Sequence, residues 1–341
     1  MRADGSPFAW RGITAFRLVE MESAGRTADV DAYLKWAASQ QLTVVRVLTM
    51  AKHLFELTPE RGVAALDNFL SRASRHGMFV EVVALADTTS YKMDLNAHVR
   101  RVGEVVARHP NAVVEIANEP YHATQVPNIH QGQFLQQLRK EIPASVPVAL
   151  GAAGYPELHT GGDFVTFHSS RSSAEGGWGS VRDLKIGVEF LRKAGKPVVD
   201  DEPVGAGQKF EPGRRDDSPE RFRAHALLAG LLGLYSTFHY EGGLQAKLPA
   251  GRELESLRAW REGAELAGAG PRGIPQVMLP GGTAPARVTG KFAGAYVIVD
   301  GDRAWALVYG GSGTEVKWRQ GWAPVREKRW SASHFAEGRR Q

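Results

Sequence analysis

Cysteine is absent from the 341 residues. That excludes disulfides, a thiolate metal site and a cysteine nucleophile. No apolar run approaches the ~20 residues that a membrane-spanning helix needs. The opening Met1-Arg2-Ala3-Asp4-Gly5-Ser6-Pro7 lacks the apolar core of a signal peptide. A removed signal would make the chain secreted or periplasmic, and otherwise it is cytoplasmic. Neither GxGxxG nor GxxxxGK followed by Ser or Thr occurs, so the phosphate-cradling turns typical of doubly wound sheets are missing. The eleven histidines include no HExxH and no spacing typical of zinc. The net charge is +5, but Lys and Arg are scattered rather than interleaved with aromatics. The small clusters at Arg214-Arg215 and in the tail (Arg326, Lys328, Arg329, Arg339, Arg340) read as a solvated surface, not a nucleic-acid face.

The composition is that of an ordinary globular protein: with 43% hydrophobic and 23% charged residues the chain has ample material for a core. Short β-rich runs alternate with helical patterns. Strands are predicted at residues 10–16, 43–49, 78–84, 112–118, 146–151, 163–168, 196–202 and 234–240. Most are almost continuously apolar, as strands buried on both faces must be. Amphipathic helices are predicted between them at 30–39, 59–75, 95–108, 131–142, 180–194 and 218–233, with a further one at 252–266. The helix near 218 starts with Ser218 as N-cap and Pro219 at the first helical position. Only the helix of the fifth unit, after Gly151, leaves no clear pattern. Eight β/α units predict an α/β fold, a (β/α)8 TIM barrel over residues 1–270. Residues 271–341 change character. Alternating apolar runs flank Asp300-Gly301-Asp302, the signature of a β-hairpin, and further strands at 314–318 and 323–330 complete a small C-terminal β-sheet domain. The last residues, 336–341, are expected to fray.

Two of the predicted strands end alike. Val113-Val114-Glu115-Ile116-Ala117-Asn118-Glu119-Pro120 closes the fourth, and Lys196-Pro197-Val198-Val199-Asp200-Asp201-Glu202-Pro203 the seventh. A barrel builds its active site at the C-terminal ends of its strands, where Glu119 and Glu202 fall; Glu115 lies inside its strand. A single glutamate there would read as an ion pair. Two carboxylates in matching frames are the minimum equipment for cleaving a glycosidic bond, one protonated to serve the leaving oxygen and one ionised to attack the anomeric carbon. One of Asp200 and Asp201 is expected to point into the barrel. Either could supply the second carboxylate, as could Glu241, but reach at the strand end favours Glu202.

Asn-Glu-Pro after the fourth strand, Glu after the seventh and the lead-in Asp4-Gly5-Ser6-Pro7-Phe8-Ala9-Trp10-Arg11-Gly12 resemble the retaining glycoside hydrolases of clan A. The resemblance is nearest to family 5-like members, the cellulases, mannanases and relatives, and covers about residues 5–270. It implies Glu119 as general acid/base and Glu202 as nucleophile. It further implies that Asn118 donates to the sugar 2-hydroxyl and that Arg46, in the second strand, supports the nucleophile. His168 stands where the clan often has a histidine or tyrosine. Family 5 carries a tryptophan sugar platform near the end of the eighth strand, where this chain has His239 and Tyr240. Tyr240 or a loop aromatic takes its place. The reading is His168-Ser169-Ser170 where a His-x-Tyr is often found. Trp178 and Phe210, in long Gly- and Ser-rich segments, and Tyr121 are candidate subsite walls, and Lys209, Arg214 and Arg215 would suit an acidic glycan.

The expectation is a retaining β-glycosidase acting on an oligo- or polysaccharide, with no metal and no cofactor, no nucleic-acid partner and no membrane anchor. The sequence says nothing of oligomeric state. Two other readings fit the scaffold: a metal-dependent lyase or isomerase with Asp87, Glu119 and Glu202 as ligands, and a non-catalytic carbohydrate-binding protein.

Overall fold

The computed structural model describes residues 8–341 apart from 153–160, 170–176, 204, 207, 212–213, 217, 269 and 272. The expected helix after Gly151, most of the lead-in and the side chains of Lys209, Phe210, Arg214 and Arg215 lie outside the described residues. The fold is a (β/α)8 barrel with a small antiparallel sheet domain. The chain divides into two compact units. The first comprises Met1–His168, Ala194–Glu202 and Ser236–Pro249, and the second Ser169–Lys193, Pro203–Tyr235 and Ala250–Gln341. The expected boundary at residue 270 falls inside the second unit.

All eight expected barrel strands form: β1 (Arg11–Thr14), β2 (Val44–Leu48), β3 (Phe79–Leu85), β4 (Ala112–Ala117), β5 (Val148–Gly151), β6 (Val165–Phe167), β7 (Val198–Asp200) and β8 (Tyr235–Tyr240). They lie in the order β5-β4-β3-β2-β1-β8-β7-β6. Between β5 and β6 the ring is drawn together by Asp163, whose amide donates to the Val148 carbonyl at 2.6 Å and whose carboxylate accepts from the Val148 amide at 2.9 Å. The apolar runs succeed as strands because both faces are covered; Val45, Val47, Val80, Val82, Val114 and Ile116 are all fully buried.

Helices α1 (Leu18–Ser23), α2 (Thr27–Ser39), α3 (Pro59–Arg75), α4 (Leu95–Val106) and α5 (Gly132–Arg139) belong to the first unit. Helix α1 was not legible in the sequence, being too short to show a period. Helix α3 follows its expectation residue for residue: Thr58 caps it by accepting from the Arg61 amide, Pro59 opens it, and Arg72 and Arg75 sit in its last turn. Its apolar stripe (Leu66, Phe69, Leu70, Ala73) is buried. Among the described residues no helix is long and apolar enough to cross a membrane.

In helix α4, His98 is fully buried and donates through Nε2 to the Ala84 carbonyl of β3 at 3.0 Å. Burial pulls this imidazole down from its ordinary value to about 4. Between pH 6.5 and about 4 the unfolded chain therefore takes a proton that the folded chain refuses. Stability is lost as the pH falls through that window, by ~3 kcal/mol at its end. Denaturant midpoints at pH 7 and pH 4 should fall less in His98→Gln than in the wild type. Equal falls would remove His98 as the cause.

In the second unit, α6 (Gly179–Ala194), α7 (Pro219–Leu231) and α8 (Arg252–Ala267) accompany the antiparallel strands. Ser218 does precede α7, but its hydroxyl makes no capping bond. The strands are β9 (Gln276–Met278), β10 (Ala286–Thr289), β11 (Gly294–Asp300), β12 (Arg303–Tyr309), β13 (Glu315–Trp318), β14 (Trp322–Arg329) and β15 (Ser333–Arg340). The main sheet runs β9-β11-β12-β15-β14, with β10 paired to β13. The hairpin expected at Asp300 closes there, with Asp300 opposite Arg303 and Gly301 at φ +61°. The end of the chain does not fray. Strand β15 is paired on both sides, and Phe335 and Ala336 are buried.

Candidate active site

The site begins with register. Arg46 of β2 lies directly beside Glu81 of β3, and Glu81 beside Val113, so Glu115 stands one inward-facing position further along β4. The Arg46 side chain, fully buried, spans this stagger. Its Nε and Nη2 donate to Glu115 Oε2 at 3.0 and 2.6 Å, and Nη2 also donates to Asn118 Oδ1 at 2.9 Å. Its Nη1 donates to Glu202 Oε1 at 2.5 Å. Asp201 Oδ2 and Glu81 Oε2 lie 3.1 and 3.6 Å from Nε. The Phe16 ring covers the guanidinium at 5.3 Å. Burial opposes this charge, but the four carboxyl groups outweigh burial and raise Arg46 well above its ordinary value.

Glu119 leaves β4 in a left-handed conformation, φ +39°, which strains a residue with a Cβ. Its neighbours hold it there. Gln125, buried, donates to the Asn118 carbonyl at 2.5 Å and to Leu85 O at 3.3 Å, and accepts from Thr88 Oγ1 at 2.8 Å. Gly151 on β5 makes room: a Cβ there would come within 2.4 Å of the Ala117 carbonyl and 2.7 Å of Pro120. Any side chain at 151 would push the Asn118-Glu119-Pro120 turn away from the barrel.

His168, at the end of β6, links the two strand-end glutamates. Its Nδ1 lies 3.4 Å from Glu119 Oε1, and its Nε2 lies 3.4 Å from Asp201 Oδ1 and 3.8 Å from Glu202 Oε1. Burial pulls the imidazole down, but the charges of Glu202 and Asp201 outweigh it and hold His168 well above its ordinary value. An oxygen of Glu119 and one of Glu202 come within 4.8 Å of each other.

The structure thus brings together Arg46, Asn118, Glu119, His168 and Glu202, adds Glu81, Glu115 and Gln125, to which sequence reasoning assigns no task, and places Asp201, a rival for the second carboxylate, beside them. Asp201 is the aspartate that meets Arg46 and His168. The only trace that Glu81 and Glu115 leave in the sequence is a lone polar position inside an apolar run. His239 is buried and bonded through Nδ1 to Thr14 Oγ1 at 2.9 Å. Tyr240 is fully buried, its hydroxyl 2.9 Å from that of Tyr33 and donating to the Lys247 carbonyl at 2.5 Å. Trp178 belongs to the second unit, where its ring lies 5.4 Å from that of Tyr309. Tyr121 is half exposed.

By distance alone, Glu115, His168 and Asp201, or Glu119, His168 and Glu202, stand close enough to share an ion. The Arg46 guanidinium touches Glu115, Asp201 and Glu202, and a fixed cation there repels a second one. Asp87 stands outside both groups. Its Oδ2 accepts from the Lys52 and His53 amides at 3.0 and 3.2 Å.

No family model matches the sequence, and no curated protein matches it. Solved structures do. An endo-beta-1,4-mannanase from Thermotoga petrophila aligns over 99% of this chain and 92% of its own, with a TM-score of 0.55 at 12% identity. A Glycoside Hydrolase Family 5 mannosidase from Rhizomucor miehei aligns over 77% and 95%, with a TM-score of 0.56 at 11% identity. A GH5_18 protein from Bifidobacterium longum subsp. infantis aligns over 76% and 78%, with a TM-score of 0.54 at 13% identity. At such identities the likeness is one of fold: the chain shares the barrel of these glycoside hydrolases.

Proposed function

We propose that this protein is a retaining β-glycoside hydrolase acting on an oligo- or polysaccharide, with Glu119 as general acid/base and Glu202 as nucleophile. The observation that carries the reading is the approach of Glu119 and Glu202 to within 4.8 Å, each at the end of a barrel strand. Retaining enzymes hold their carboxyl groups ~5 Å apart, whereas inverting ones leave room for a water. The fold neighbours, family 5 enzymes and mannanases among them, support the same reaction class and place β-mannan early in any substrate panel.

Each group has a task. The Glu202 carboxylate attacks the anomeric carbon as the bond to the leaving oxygen breaks, and the Glu119 proton passes to that oxygen. Glu119 then takes a proton from water, whose oxygen displaces Glu202 and restores both groups. Arg46 holds Glu202 by its Nη1 and favours the carboxylate form. Arginine only donates, so its bond to Asn118 Oδ1 turns the Asn118 amino group away from itself. That leaves Nδ2 free in orientation to donate to a sugar 2-hydroxyl.

The test is a panel of aryl β-glycosides and β-linked polysaccharides, mannan and glucan first, with wild type, Glu119→Ala and Glu202→Ala side by side. The expected outcome is hydrolysis by the wild type with retained anomeric configuration, and its loss in Glu202→Ala. Inverted product, or hydrolysis that survives both substitutions, would sink the assigned pair.

A further inference from the structure

The barrel interior holds more carboxyl groups than this reaction uses. Glu81, Glu115 and Asp201 are fully buried. With Glu119 and Glu202 they surround two cations, Arg46 and His168. Five ionised carboxylates against two cations is an unfavourable balance in a dry interior. Burial, and next the charge of Asp201, push Glu81 well above the usual carboxylate range. Burial also pushes Glu115 up to about 8, against the pull of Arg46. Both shifts favour the protonated forms of Glu81 and Glu115, and Glu119 begins the reaction as an acid. Asp201 and Glu202 are the two carboxyl groups that lie within 4 Å of both Arg46 and His168.

Asp201 touches both cations, Oδ2 at 3.1 Å from Arg46 Nε and Oδ1 at 3.4 Å from His168 Nε2, and it lies nearer to that nitrogen than Glu202 does. We propose that Asp201 is a positioning residue, which by pairing with His168 holds a charged imidazolium between Glu119 and Glu202. The proposal rests on the two-carboxylate reading of the site. Only a charged ring carries hydrogen on both nitrogens, so only a charged ring donates to Glu119 through Nδ1 while facing Asp201 and Glu202 through Nε2. A neutral ring would lose one of these contacts. Glu119 would then lose its orientation, or the nucleophile side would lose a donor. The groups that set this charge are Glu119 and Glu115 from β4, Asp201 and Glu202 from β7, Glu81 from β3 and Arg46 from β2.

The experiment is an NMR titration of the full chain labelled with 15N-histidine, with His168→Gln assigning the signal, beside the pH profile of kcat/KM on an aryl β-glycoside. In the wild type the His168 ring should stay charged well above the usual histidine range. In Asp201→Asn it should become neutral at lower pH. The alkaline limb of kcat/KM should move down with it, and kcat should fall about tenfold at little change in KM. Asp201→Glu should restore much of the charged ring. Glu81→Gln, which removes a carboxyl that burial pushes toward its protonated form and that does not touch His168, should leave the His168 titration in place. Equal titrations in wild type and Asp201→Asn would overturn the proposal, as would a moved titration with an unmoved alkaline limb. A wild-type ring that titrates as an ordinary histidine would do so without any variant. A ring that depends on Asp201 in a protein that hydrolyses no glycoside would uphold the pairing and overturn the glycosidase reading instead.

Discussion

Glu202→Ala is expected to lose at least ~10⁴-fold in kcat on an activated aryl β-glycoside, a barrier increase of about 5 kcal/mol. The size follows from what is removed. In the proposed reaction Glu202, at a barrel-strand end and held by Arg46 at 2.5 Å, forms the covalent glycosyl intermediate, which alanine cannot. Azide is small enough to enter the space left by the side chain. It should restore part of the rate and yield the α-glycosyl azide, because attack then comes once, from the nucleophile's face. Glu119→Ala should behave differently. A good leaving group needs no proton, so the first step should survive and the second should slow, with azide yielding the β-glycosyl azide. The same azide product from both variants, or none from either, would refute the division of roles.

The second large effect is one of stability. Arg46→Met should destabilise the fold by about 3–5 kcal/mol, the cost of leaving buried partners of a charge network unpaired. Arg46 donates to Glu115, Asn118 and Glu202 and stands beside Asp201 and Glu81, all within one barrel interior. Methionine keeps an unbranched apolar stem but lacks the guanidinium and supplies no hydrogen. Glu115, already pushed up to about 8 by burial, should take a proton more readily still, so the loss should be smaller at pH 5 than at pH 8. Denaturant unfolding at the two pH values checks both statements. A second substitution, Glu115→Gln, should recover part of the loss in the Arg46→Met background. Unfolding within 1 kcal/mol of the wild type at both pH values would show that the network contributes little.

Much of this is legible in the sequence. The eight strands were marked by apolar runs of strand length, each bounded by a change of pattern. Glu119 and Glu202 were marked because each ends such a run beside a proline, where a barrel places its chemistry. Other features left no mark. Glu81 is one polar residue among valines in Phe79–Leu85, and alternation alone does not say which charge it will meet. Asp200 and Asp201 are chemically identical neighbours, distinguished only by which side of the sheet each faces. Gln125 lies in a loop whose path no periodicity records. Tyr240 is by residue type a candidate for the sugar platform, but it is buried and its hydroxyl bonds to Tyr33 and to the Lys247 carbonyl. The tail, short and rich in arginine, gave no sign that β15 would be paired on both sides.

The sequence by itself determined the barrel and the two strand-end glutamates, because burial and strand length act locally and leave a pattern in consecutive residues. The tertiary structure alone decided how the charges are shared: that Arg46 serves Glu115 as well as Glu202, that Asp201 rather than Asp200 faces His168, and that burial pushes Glu81 above the usual carboxylate range. Those outcomes depend on the stagger between neighbouring strands and on the loss of water inside the barrel. Both arise between segments far apart in the chain, and neither is written in any one of them.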